Sequence, residues 1–193
     1  MARAKISGKK EIVAAAFALV EQEGVEALSA RRLAASLNIS NMTLYNYVEN
    51  IDEIKKEIIA EGFRQLYAIA YRSLESSNQN NLALDMKSAS KILAEDIFDF
   101  GCSNKNIYQL MFANSVKKFR EDMELKPFYS YFLQLLPKME DKEKRKKIHK
   151  VLNMLHFIVS QMIMDKIIGI HDYSKQEFNA YVDQFVETMF NFD

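Results

Sequence analysis

A chain of 193 residues with only 5 glycines and 2 prolines, but 49% hydrophobic side chains, has too few turn formers for a sheet of many hairpins. It favours an all-α protein with a sizeable core, as one large domain or two small ones. The charge is balanced at 26 basic and 26 acidic residues, which weighs mildly against DNA binding, and the single Cys102 excludes an internal disulfide and points to the cytoplasm. The first residues hold no secretory apolar region, and no uninterrupted apolar run reaches the length of a membrane span.

Residues 1–7 are polar, and a frayed terminus is expected there, although Arg3 and Lys5 could track a phosphate backbone. A first helix is predicted over about 8–23, with Ile12, Ala15, Ala16, Leu19 and Val20 on one face and Gly24 as its stop. The next stretch carries the same start signal twice. Ser29 lies between Leu28 and Leu33, and Ser40 between Ile39 and Leu44. A serine hydroxyl accepts from a free N–H of the first turn, and the flanking apolar pair staples the entry angle. Two short helices therefore begin at Ala30 and Asn41, joined by a tight turn in which Asn38 can take a left-handed conformation. That describes a helix-turn-helix, whose second helix reads the DNA major groove.

The residue types on the second helix suit such a task. Asn41 and Asn46 can pair with an adenine edge, and Met42 can touch a thymine methyl. Hydroxyls of Ser29, Ser40, Thr43, Tyr45 and Tyr47 can bond phosphate oxygens, while Leu44 is the core anchor. Arg31 and Arg32, in the first turn of the preceding helix, can reach a phosphate or a guanine. The alternative is a capped helical hairpin with a solvated polar face.

Asn50-x-x-Glu53 reads as a capping box that opens a long helix over about 51–75, carrying Ile54, Ile58, Phe63, Leu66 and Leu74. Ser76 to Asn81 has no apolar residue and is expected to be a linker. Further helices are predicted over about 82–100, from 106 to 112, over 123–136, over 144–170 and over 175–192. Residues 138–150 carry seven basic and three acidic side chains, read as a solvated helix start rather than a partner site. Charge is uneven along the chain: residues 1–47 have six basic and four acidic groups, and residues 174–193 one and four. DNA would therefore meet the N-terminal end.

Between Met154 and Ile170 apolar residues surround the helix, so it must be covered on every side. A second copy of the chain is the natural cover. Leu155, Val159, Met162 and Ile163, with Phe178, Val182, Phe185 and Met189 of the last helix, are the expected interface of a homodimer. Aromatics and methionines elsewhere, namely Tyr67, Phe98, Met111, Phe112, Phe132 and Phe157, are candidates to line a pocket for a small apolar effector, or else ordinary core.

An enzyme is the main rival. His149 and His156 lie two turns apart, too far for ligands on adjacent turns, and His171 is isolated. There is no Gly-rich phosphate loop or nucleophile elbow, and neither a catalytic set, a metal site nor a cofactor is expected. Asp165, among apolar neighbours, is expected to pair with Lys166 or Lys150 at the edge of a dimer, or else to cap a ligand's amine.

The chain resembles the tetracycline-repressor (TetR/AcrR) family of bacterial regulators over about residues 9–58. Ile12, Ala15, Ala16, Leu19 and Gly24 match its first-helix pattern. Leu33-Ala34, Ile39-Ser40, Thr43-Leu44-Tyr45, Tyr47-Val48 and Asp52-Glu53-Ile54 stand at its later positions. The family's turn glycine is Asn38 here, its small recognition-helix residue is Met42, and its phosphate-contacting lysine is Ile51. The last change implies weaker nonspecific DNA binding.

The resemblance implies about nine helices, with a DNA-binding domain at 1–50 and a ligand-binding and dimerisation domain at 51–193. It implies a ligand-released repressor that binds a palindromic operator as a homodimer, with Arg31 at a position from which some members read a base. The competing readings are a helical small-molecule-binding protein or enzyme without DNA function, and an architectural DNA-binding dimer without an effector.

Overall fold

The computed structural model describes residues 8–79, 85–112 and 142–190. Among them the elements are α1 (Lys9–Glu23), a 3-10 turn (Val25–Ala27), α2 (Ala30–Ser36), α3 (Asn41–Tyr45), α4 (Ile51–Gln79), α5 (Met86–Ser103) and α6 (Lys105–Phe112), then α7 (Lys142–Ile167) and α8 (Lys175–Met189). No strand occurs among the described residues. The helix expected over 123–136, and with it Phe132, lies outside them.

Two compact units divide the chain. The first takes Met1–Arg64 and Asn104–Leu125, the second Gln65–Ser103 and Lys126–Asp193. This differs from a boundary at residue 50. The opening turns of α4 and all of α6 belong with the N-terminal helices, and α4 runs on into the second unit.

In the first unit Ile12, Ala16, Val20, Leu33, Leu44, Ile54 and Ile58 are buried. Each Val, Leu or Ile among them contributes about 1.5–3 kcal/mol when fully removed from water. Helix α6 packs on α1, and the Asn106 side-chain amide donates to the Glu21 carbonyl at 2.9 Å. It also crosses α4 at Gly62, where an added Cβ would lie 2.5 Å from Met111 Sδ. Phe63 and Phe112 meet edge to face at 5.7 Å.

The second unit builds its core from Ala70 and Leu74 of α4 against Ala89 and Leu93 of α5, with Met86, Ile92 and Leu152 around them. Helix α5 also packs on α7 and on α8. Its pairing with α8 is antiparallel: Lys87 meets Glu187 at 2.8 Å, Lys91 meets Asp183 at 2.8 Å, and Asp99 meets Lys175 at 2.6 Å. Phe98 stacks on Phe178 at 4.0 Å. A capping box sets the start of α8, with Ser174 Oγ accepting from the Glu177 amide and Glu177 answering the Ser174 amide.

Three expectations are corrected. Ser76 to Gln79 are helical, the end of α4, and not a linker. Extending a helix already seven turns long costs little, and Ser77 Oγ donates back to the Ser73 carbonyl at 2.9 Å. Asp165 accepts from the Gln161 amide at 2.8 Å, while Lys166 turns to Asp172 and to the Tyr173 carbonyl. The third concerns the expected dimer interface. Leu155, Val159, Met162, Ile163, Phe178 and Val182 are buried inside a single chain, so they form its own core. Of the expected residues Phe185 and Met189 remain only half-buried, and on the same two helices Met154, Phe157 at 70% exposure and Tyr181 are exposed, with Ile158 half-buried.

Candidate nucleic-acid interface

Local chemistry fixes the angle between α2 and α3. Ser29 Oγ accepts from the Arg32 amide at 3.3 Å, and Ser40 Oγ from the Thr43 amide at 3.0 Å. Between them α2 ends in a Schellman motif. The Ile39 amide reaches the Ala34 carbonyl at 2.9 Å, and the Asn38 amide reaches Ala35 at 3.0 Å. The motif needs a left-handed residue, and Asn38 supplies it with φ 53°. Leu33 and Ala34 bury one face of α2, and Leu44 alone is buried in α3.

Anchoring α3 by one leucine turns its other residues outward. Asn41, Tyr45 and Asn46 are exposed, and Met42 is 78% exposed. Single apolar side chains are common on protein surfaces, so Met42 counts here only together with the hydrogen-bonding residues around it. Asn46 and Tyr47 continue past α3 in a tight turn, with the Tyr47 amide on the Leu44 carbonyl at 3.0 Å and its ring 40% exposed. Thr43 is half-buried, with its Oγ1 2.8 Å from Ser40 Oγ. The structure therefore brings Asn41, Met42, Tyr45, Asn46 and Tyr47 onto one surface segment, with Ser29, Ser40 and Thr43 behind them as caps. Beside them Arg31 is exposed in the first turn of α2, whereas Arg32 is drawn to the carboxylate of Glu23.

The start of α4 is clasped from α1. Asn50 Oδ1 caps the Glu53 amide at 2.8 Å. The expected reciprocal contact goes one residue back, since Glu53 accepts from the Glu49 amide at 2.6 Å. Lys9 bridges to Glu53 at 2.6 Å and to Glu57 at 2.7 Å. Hydrogen bonds from Lys9 and from the Glu49 amide hold the Glu53 carboxyl below its ordinary range, and bonds to Glu53 and Glu57 raise the Lys9 ammonium above its own. Lys55, one turn beyond Ile51, faces Asp52 at 3.4 Å. Sequence reasoning missed the carboxylate partners of Lys9, which come from another helix and leave no periodic signal.

The residues named for an effector pocket do not gather in one unit. Met111 is buried and Phe112 half-buried in the first; Tyr67 is half-buried and Phe98 buried in the second. Phe157, also of the second unit, faces outward. Among the described residues no three His, Cys, Asp or Glu side chains converge as a metal set, and no helix is long and apolar enough to cross a membrane.

The family of bacterial regulatory proteins called tetR has a model that matches residues 12–65, which hold all of α2 and α3. An uncharacterised HTH-type transcriptional regulator of Bacillus subtilis (strain 168), YobS, is 27% identical over 101 residues. That match covers 52% of this chain and 49% of YobS, so the chain spans about half the length of the curated relative. Among solved structures, a TetR variant from Acinetobacter baumannii AYE in complex with minocycline superposes with a TM-score of 0.65 at 15% identity, covering 95% of this chain and 96% of that one. FadR of Bacillus subtilis in complex with stearoyl-CoA gives 0.61 at 13% identity over 94% and 97% of the chains. A TetR-family regulator of Mesorhizobium loti gives 0.66 at 17% identity over 93% of each. At such identities the likeness is one of fold.

Proposed function

Because the chain is a member of the tetR family of bacterial regulatory proteins, we propose that it controls transcription by binding duplex DNA through α2 and α3. The observation that carries this is the outward face of α3, where Asn41, Met42, Tyr45 and Asn46 stand exposed around the single buried Leu44. Asn41 and Asn46 offer the paired donor and acceptor that an adenine edge requires, Met42 an apolar contact for a thymine methyl, and Tyr45 and Tyr47 hydroxyls for phosphate. Arg31 reaches a base or phosphate from the N-terminus of α2.

A second copy of the chain covers Met154, Phe157 and Tyr181, giving a symmetric dimer bound to a palindromic operator with half-sites about one helical turn apart. A small apolar effector taken up by the C-terminal helices shifts the population toward a dimer that no longer fits that spacing, and the operator is released. Support comes from two regulators of the same fold, which hold minocycline and stearoyl-CoA.

The competing reading is a helical small-molecule-binding protein without DNA work. One fact favours it: residues 8–64 carry seven cations against nine carboxylates, a net −2. Selection of duplexes from a random pool at low salt, by the full-length protein, separates the two. The regulator reading expects enrichment of an inverted repeat; a pool left unenriched after repeated rounds supports the competitor.

A further inference from the structure

We propose that Glu23 is a built-in competitor of the DNA backbone for Arg32, so that this carboxylate sets how strongly the protein holds DNA of the wrong sequence. The inference rests on reading α2 and α3 as the DNA face. Arg32 sits in the first turn of α2, beside the exposed Arg31. In a helix-turn-helix the first helix lies across the phosphate backbone. Yet the Arg32 guanidinium is bonded through Nη2 to Glu23 Oε2, at the last residue of α1. Both side chains are about half exposed, 49% and 44%, so the pair is reachable by solvent and by a phosphate.

Gly24 and the 3-10 turn at Val25–Ala27 fix where Glu23 stands, because α1 must end at a left-handed glycine (φ 83°) before the chain turns toward Ser29. The pairing is therefore held by the fold across nine positions. Other cations of the same unit are treated alike, with Lys9 clasped by Glu53 and Glu57, and Lys55 facing Asp52.

A phosphate that takes Arg32 must displace the Glu23 carboxylate, and the two anions are then left close together. On nonspecific DNA, where backbone contacts supply nearly all the affinity, that penalty is felt in full. On the operator, base contacts from α3 offset it. Glu23 thus weakens the sequence-independent part of binding and leaves discrimination to the base contacts of α3.

The test is a salt titration of the full-length protein on a random-sequence duplex, comparing wild type, Glu23→Gln, Arg32→Ala and the double variant. The isosteric glutamine leaves Arg32 free for one more phosphate, worth a slope change of about −0.9 in log K against log salt. The advantage of Glu23→Gln over wild type should therefore be about threefold larger at 50 mM than at 200 mM salt. It should vanish when Arg32 is alanine. Glu26→Gln removes another exposed charge, three residues away in the 3-10 turn, and serves as the control for long-range attraction.

An unchanged slope for Glu23→Gln, a gain matched by Glu26→Gln, or a gain that survives Arg32→Ala each overturns the proposal while leaving DNA binding intact. If wild type binds no duplex at low salt, the DNA reading falls and this inference falls with it.

Discussion

Replacing Gly62 by alanine tests the crossing of α4 and α6 that ties the first unit together. In an open helix the change stabilises by up to about 1 kcal/mol, because glycine is the costlier residue there. Here the new Cβ would stand 2.5 Å from Met111 Sδ, 3.2 Å from its Cγ and 3.1 Å from Ile107 Cγ2. Ordinary carbon contacts lie near 3.5–4.0 Å, so the thioether must move by about an ångström. Met111 and Ile107 are both fully buried, with no water to move into. Forced repacking of that kind costs about 1–3 kcal/mol, which outweighs the helix gain and leaves a net loss of up to about 2 kcal/mol.

A double-mutant cycle by equilibrium urea denaturation gives a sharper reading. Met111→Ala alone leaves a cavity costing about 2–5 kcal/mol. It also removes the closest atom to the new methyl, Met111 Sδ, together with Cγ, and the methyl then fills part of the void. The double variant should therefore be at least about 1 kcal/mol more stable than the two single losses predict, where independent sites add within about 0.5 kcal/mol. Additive losses, or a stabilising Gly62→Ala, would refute the close approach.

Other consequences follow from single residues. Ser40→Ala removes the cap of a five-residue helix and should cost about 1 kcal/mol in urea denaturation, while Ser40→Thr keeps most of it. Asn41→Ala should weaken operator binding by about 1–3 kcal/mol and relax preference at one position only, read by titrating single-base variants of the selected duplex. Glu53→Gln should lower the melting temperature near neutral pH, by an amount corresponding to under about 1 kcal/mol for a partly exposed pair. Since the folded-state carboxyl titrates below its ordinary value, the wild-type advantage holds above the usual carboxylate range and disappears as pH falls through the folded value. Asp96 behaves oppositely. Burial pushes its carboxyl up, against the help of Ser73 Oγ donating to Oδ1 at 3.0 Å, and Oδ2 lacks a hydrogen-bond partner. Its folded-state charge costs stability above the raised value, so Asp96→Asn should raise the melting temperature at pH 8 and lose that gain in acid.

What the sequence disclosed was local. The two serine caps, the left-handed Asn38 and the lone anchor Leu44 each depend on residues within a few positions, and all four stand as expected. The α8 capping box is equally local, since Ser174-x-x-Glu177 is written in the chain, although the prediction of this helix rests on its apolar stripe alone. The outward face of α7 was not legible. A helix apolar on every side gives no period from which to tell which side α5 covers, so the pattern does not separate the buried Leu155 and Val159 from the exposed Phe157. The ion pairs of Arg32 and Lys9 were hidden for a different reason. They join helix ends brought together by turns, at separations of 9 and 44 residues or more.

The account depends most on the side chain at position 42 meeting DNA. A photocrosslinking residue placed there in the full-length protein, irradiated on the selected duplex, should give a covalent adduct to a base within each half-site. The same probe at position 157 should join two protein chains and leave the DNA unmarked. A protein that holds the duplex while position 42 yields no DNA adduct would contradict the account.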